Sequence, residues 1–220
     1  MDLIEGIETR RSIRAFKDTP IPEEILNNIL KAASNSPSYT NTQSWEVAVV
    51  CGEKREELRK ILFNLASQKS ETHPDMPAPK GWPQEHEARS REHGARRLAA
   101  LGVERADETE REKLRLMNFE FYGGPCAIFL SMEGSLNEWS IFDMGLFAQN
   151  LILSAHSFGV GSCLQASITS YAPEIKKFLG ISESKKLIIG ISFGYPDNEA
   201  KLNTYRAIKQ KPEEFATWHI

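Results

Sequence analysis

The 220-residue sequence predicts one domain of mixed helix and strand in which helices outnumber strands. Three observations carry this. Short apolar runs bounded by glycine or proline occur at 46–51, 126–132 and 186–194, with the length and composition of buried strands. Between them, apolar residues recur at three- and four-residue spacing, as in helices with one inward face. With 40% hydrophobic and 26% charged residues, a chain of this length buries a substantial core without dividing into domains.

Leu3, Ile4 and Ile7 have helical spacing behind Asp2 as a cap, and this first helix runs into the basic stretch Arg10 to Arg14. Pro20 and Pro22 precede a second helix striped by Ile25, Leu26, Ile29, Leu30 and Ala33, which breaks at Ser36-Pro37-Ser38. Glu46 to Cys51 is predicted as a buried strand, and Leu58, Ile61, Leu62 and Leu65 form the inner face of the helix after it. From Ser70 to Pro83 the pattern dissolves into proline-rich loop. Residues 84–116 carry 8 Lys/Arg and 8 Asp/Glu, as expected of solvated helices forming a surface excursion or a mobile cover. Cys126 to Met132 reads as a strand, and Trp139 to Phe158 as the longest helix, apolar on more than one side and therefore buried. Gly159 and Gly161 end it, a short helix covers 174–179, and Lys186 to Gly194 is a strand. The tail beyond Pro196 is polar yet keeps Tyr205, Phe215 and Trp218, an extension expected to pack on a surface such as another subunit's.

Balanced charge narrows the class. A net charge of -3 provides no field for gathering nucleic acid or an anionic membrane. No run approaches about 18 unbroken apolar residues, and the start Met-Asp-Leu-Ile-Glu has no signal-like pattern, so a soluble cytoplasmic protein is expected. Cys51, Cys126 and Cys163 lack metal-ligand spacing and read as reduced core residues, with a catalytic thiol at Cys163 the less common alternative.

Four groups of residues could carry chemistry. Arg10, Arg11, Ser12 and Arg14 place three guanidiniums and a hydroxyl within five residues, enough to hold a phosphate; a solvated basic patch is the plain alternative. Pro37, Ser38, Tyr39, Asn41 and Gln43 lie in a dense polar loop able to meet a flat heterocycle, or to bond its own backbone. Gly159 and Gly161 allow close backbone approach before Leu164, Gln165 and Ala166. Arg206, with Lys209, could complete an anion site.

The order of these motifs resembles the nitroreductase superfamily. The resemblance rests on Arg-Arg-Ser-Ile-Arg-Ala-Phe from Arg10, Ser-Pro-Ser-Tyr-Thr-Asn-Thr-Gln-Ser-Trp from Ser36, Asp143 to His156 with Phe-Gly-Val-Gly behind it, and Ile-Gly-Ile-Ser-Phe-Gly-Tyr-Pro before an Arg-bearing tail. It spans nearly the whole chain apart from residues 67–118. It implies a three-layer α+β sandwich around a mixed sheet, a homodimer with exchanged C-terminal segments, and an FMN at each subunit interface. By this likeness Arg10, Arg11, Ser12 and Arg14 meet the FMN phosphate and ring edge. Pro37, Ser38, Tyr39, Asn41 and Gln43 reach the flavin from the partner subunit. Leu164, Gln165 and Ala166 lie beside its reactive nitrogen. Two departures stand out: Ser44 occupies a common proline position, and the spacing before Pro212 leaves Arg206 and Lys209 both eligible for the phosphate, with Arg206 preferred.

The activity implied is ping-pong transfer of electrons from NADPH or NADH to a small electron-poor acceptor, a nitroaromatic or quinone, with no catalytic side chain. His156 is expected to be a satisfied core residue. A reductive dehalogenase, an oxygen-using oxidase and a non-catalytic flavin-binding protein are the alternatives.

Overall fold

The computed structural model describes residues 2–220. Helix α1 (Leu3–Thr9) begins where the Asp2 carboxylate accepts the Ile4 N–H at 2.9 Å, capping it as expected. An extended segment leads to α2 (Glu23–Ala33), whose Leu26, Ile29 and Ala33 are buried. After the polar loop come β1 (Glu46–Cys51) and α3 (Gly52–Ser67). The charged stretch forms α4 (Gln84–Leu101) and α5 (Glu108–Leu116), neither with a buried residue. The chain then runs through β2 (Cys126–Glu133), α6 (Glu138–Ser157), β3 (Gly161–Gln165), α7 (Ala172–Leu179) and β4 (Lys185–Gly194).

The strands order β1-β2-β4-β3, and β2 and β4 are interior. Cys126 to Met132 is buried throughout, which is why this run reads as unbroken apolar sequence. One face packs on α2 and α6 through Ile29, Ile128, Phe147, Leu151 and Ile191. The other packs on α3, α7 and the turn at 117–123 through Leu58, Leu62, Phe121, Phe129 and Ile175. Each such large apolar side chain contributes about 1.5–3 kcal/mol on full burial, so both layers hold the sheet. This is the three-layer α+β sandwich that the resemblance implies.

Several details differ from the sequence reading. All four strands pair antiparallel, and parallel pairing is confined to an isolated bridge between Ser12 and Ser162. Strand β3 is an additional strand in a run too polar and small to announce itself. Strand β1 is an edge and only Val50 is buried; Val49 is 40% exposed and Cys51, at its end, is exposed. Helix α6 buries Met144, Phe147, Leu151 and Ala155 but shows Trp139 and Phe142 to solvent in the single chain. Leu3, Ile4 and Ile7 of α1 are likewise exposed. No helix among the described residues is long and apolar enough to cross a membrane.

Candidate functional site

The basic stretch is held against the sheet by backbone. Beyond α1, the Ile13 N–H donates to the Ser162 carbonyl of β3 at 2.9 Å. Gly161 makes this approach possible, because a Cβ there would lie 2.8 Å from Ile13 Cγ1 and 2.9 Å from Pro196 Cγ. Its freedom thus serves chain packing and not direct ligand approach; Gly159, at φ +73°, simply terminates α6. Buried Asn203 clamps the other side. Its side chain accepts the Arg14 N–H at 2.7 Å and donates to the carbonyls of Ala15 and Asp197 at 2.8 and 2.7 Å. The start of the tail is thereby fixed beside the arginines.

These constraints bring the first and last predicted groups together. Arg10, Arg11, Ser12, Arg14, Arg206 and Lys209 line one cavity of about 510 Å³. A smaller adjoining cavity of about 190 Å³ is lined by Arg10, Arg11, His156 and Arg206. Arg206 borders both and Lys209 only the larger, which favours Arg206 as the central tail cation. Among the described residues none of these five cations has a carboxylate within ion-pair distance. Arg14 Nε is buried without a hydrogen-bond partner, and its guanidinium lies 6.0 Å from the centre of the Tyr122 ring. A concave cluster of unpaired guanidiniums with an orphaned buried donor suits a phosphate monoester, which offers several charged acceptors at once.

Neighbouring groups register the positive potential. Burial, and then Arg10 and Arg11, lower the pKa of His156, with Glu5 opposing. His156 is half-buried and its Nε2 lies 2.8 Å from Thr9 Oγ1, so it is a satisfied histidine at a cavity wall and not in the core. Burial likewise lowers His93 of α4, helped by Arg14, Arg97 and Lys209. For Cys163 burial pushes the thiol up and outweighs the nearby arginines, so it is not an activated nucleophile.

The polar loop sits elsewhere, on α6. Both oxygens of buried Asp143 accept the Tyr39 N–H at 3.1 Å, Asn150 donates to Ser36 Oγ at 2.8 Å, and Trp45 stacks on Phe147 with centroids 4.7 Å apart. Ser38 Oγ accepts the Gln43 N–H at 3.0 Å, and the Gln43 amide donates to the Asn41 carbonyl. Thr40, Asn41 and Gln43 have φ of 48°, 61° and 48°. Three left-handed non-glycine residues in four positions store strain of order 1–3 kcal/mol each, a pattern concentrated at ligand clamps. Pro37, Tyr39, Asn41 and Gln43 remain exposed. The sequence offered one unused signal here: Asp143 is an acid in the middle of an apolar helix, and such a group demands a buried donor.

Within one chain the loop and the arginine cluster stay apart. The loop meets α6 at Asp143, whereas Thr9 beside the cluster meets it at His156, roughly 20 Å further along the axis at about 1.5 Å per residue. The third group lies at the free edge of β3. Leu164 is 43% exposed, and Ala166 is exposed. The Gln165 side chain is turned inward, accepting from Ser192 and donating to the Asn118 carbonyl at 2.9 Å, so only its backbone remains for a ligand.

The model of the nitroreductase family matches residues 7–195. The chain is 30% identical over 209 residues to the 4-nitrobenzoate reductase of Pseudomonas putida, covering 95% of this chain and 92% of that protein. It is also 30% identical over 216 residues to the nitrobenzene nitroreductase of Ectopseudomonas oleovorans, covering 96% and 94%. The solved structure of the FMN-dependent nitroreductase NfnB from Mycobacterium smegmatis in complex with NADPH superposes with a TM-score of 0.94 at 32% identity, covering 99% of this chain and 97% of that one.

Proposed function

The chain belongs to the nitroreductase family, and on that premise we propose that it is an FMN-dependent oxidoreductase passing electrons from NADPH or NADH to small nitroaromatic or quinone acceptors. The observation carrying this reading is the cavity of unpaired cations with the orphaned Arg14 Nε, which fits the FMN phosphate. Arg10, Arg11, Ser12, Arg14 and Arg206 would hold that phosphate, with Lys209 at the rim. When bound, FMN supplies hydride acceptance from the nicotinamide and hydride return to the acceptor in alternate half-reactions.

The protein's own part is to bind, orient and enclose. The exposed backbone of Leu164, Gln165 and Ala166 would lie along the ring's reactive edge, with Leu164 shielding it from water. Cationic groups nearby favour the anionic reduced ring. No side chain in this arrangement need act as acid or base.

A shared site accounts for the separation along α6. In a homodimer the Pro37, Ser38, Tyr39, Asn41 and Gln43 loop of one subunit would close the other's flavin pocket. The exposed apolar residues of α1, Trp139 and Phe142 of α6, and Ile208, Phe215 and Trp218 of the tail supply an interface that includes exchanged C-terminal segments. Residues 1–220 then form a single FMN-binding domain, with the 67–118 insert as its cover. Tyr205 of the tail is 3.1 Å from His93 Nδ1 of α4, which supports that placement. The free cysteines accord with a cytoplasmic setting.

Purification tests the reading. The protein should carry a yellow chromophore that bleaches under NADPH or NADH and returns on adding nitrobenzene, and acid release should yield FMN. Recovery of FAD alone, or flavin that no nicotinamide reduces, overturns it.

A further inference from the structure

Between α4 and α5 lies a cavity of about 250 Å³ whose lining joins guanidiniums to aliphatic walls. Arg97, Arg111 and Arg115 provide the charge and Leu98 and Leu114 the apolar surface. Among the described residues no carboxylate lines it. Arg115 is neutralised by Glu112 at 2.7 Å, but among the described residues Arg97 and Arg111 have no acidic partner, and Arg111 donates to the Arg105 carbonyl at 3.1 Å. Half-buried Arg97 is therefore a cation without an anion among the described residues, whereas its neighbours Arg91 and Arg96 on the same helix pair at i,i+4 with Glu87 and Glu92.

The position of this cavity ties it to the reaction. Asn118 forms part of its lining and takes the Gln165 side chain at 2.9 Å, so it is one hydrogen bond from the edge of β3. His93 lines both this cavity and the phosphate cavity, so the two share a wall.

We propose that this cavity is an anion subsite for the acceptor: Leu98 and Leu114 face the aromatic ring while Arg97, aided by Arg111, pairs with a carboxylate on it, so that the chain favours nitroaromatic acids over neutral nitroarenes. The inference rests on the oxidoreductase reading above. A carboxylate across a single ring from the reacting nitro group stays within a ring's length of the β3 edge, to which this cavity is tied through Asn118. The adenosine phosphate of a dinucleotide lies at the far end of a long molecule from its reacting carbon. A guanidinium–carboxylate pair is charge-assisted and geometrically selective.

The test compares wild type with Arg97→Met, which keeps the aliphatic stem, and Arg111→Gln, using 4-nitrobenzoate and nitrobenzene as acceptors with NADH and with NADPH. Loss of one charge-assisted contact should lower kcat/KM for 4-nitrobenzoate about tenfold to a hundredfold relative to nitrobenzene in the Arg97→Met holoenzyme, chiefly through KM. Arg111→Gln should shift the ratio in the same direction by less, and Arg97→Lys should restore part of it. Equal effects on both acceptors, loss of FMN absorbance, or a selective loss of NADPH against NADH each overturn the proposal. Wild type reducing nitrobenzene without any preference for the acid overturns the subsite alone; wild type reducing neither acceptor overturns the functional reading with it.

Discussion

Replacing Arg10 by alanine should separate cofactor binding from folding. The Arg10 side chain borders both cavities of the cation cluster, and burial holds its pKa below the ordinary guanidinium value. Its backbone N–H, bonded to the Gly6 carbonyl at 3.1 Å, survives the substitution, so α1 keeps its end. In the apo protein the lost group leaves no carboxylate unpaired and removes repulsion with Arg11 and Arg14. Stability should therefore hold or rise by a fraction of a kcal/mol, the scale of partly solvated charge interactions. Binding moves the other way: one charge-assisted contact to a phosphate contributes about 1.5–3 kcal/mol, so FMN affinity should fall roughly tenfold to a hundredfold. Each tenfold loss also removes about 1.4 kcal/mol of ligand-linked stability at saturating FMN. Flavin fluorescence quenching would give the affinity, and thermal melts with and without FMN the stability. Unchanged affinity refutes the phosphate assignment, and an apo variant markedly less stable than wild type refutes the claim that Arg10 is functional and not structural.

Gly161→Ala should cost about 1–3 kcal/mol in urea unfolding and weaken FMN, because its Cβ would collide with Ile13 and Pro196 and push the arginine segment off β3; wild-type values for both would show that the contact is soft. Asp143→Ala orphans the Tyr39 N–H and should lower stability by about 1–3 kcal/mol while speeding proteolysis within residues 36–45, and unaltered cleavage there would refute its clamping role. For the tail, Arg206→Ala should weaken FMN more than Lys209→Ala does, as measured by the same fluorescence titration, and the reverse order would reassign the phosphate contact. His93 and His156 both have lowered pKa values in the folded state, so the unfolded chain binds the extra protons. Apo stability should be full above about pH 6.5 and fall below it, an effect that bound phosphate offsets, and urea midpoints equal at pH 7.5 and 5.5 would contradict this.

The fold was legible where local pattern and tertiary role coincide. The continuous run Cys126 to Met132 reads as a buried strand and is an interior one, and Leu26, Ile29 and Ala33 read as one face of a helix and are its buried face. Strand β3 was hidden because Gly-Ser-Cys-Leu-Gln has no propensity of its own and is a strand only by virtue of β4 beside it. Strand β1 misled in the opposite sense: Val47 to Val50 looks interior, yet nothing among the described residues pairs on its outer side. Of the site, the arginines and the polar loop showed through their order along the chain. Asn203 and Gly161, which position those arginines, carry no local mark, since their importance arises from contacts with residues far away in sequence. Arg97 was indistinguishable from the other charges of a balanced stretch until the helices around it showed which arginines lacked a partner.

On the proposed shared site, the length of α6 between Asp143 and His156 would turn cofactor retention into a matter of protein concentration. If a lone subunit carries half of each of two pockets, FMN and the second subunit are linked ligands, and each strengthens the other's hold by the same factor. Dilution alone would then empty the flavin site even with free FMN held constant, and the apparent affinity measured at nanomolar protein would be weaker than at micromolar. Flavin loss in a dilute assay would report disassembly before it reported any weakness of the phosphate contacts.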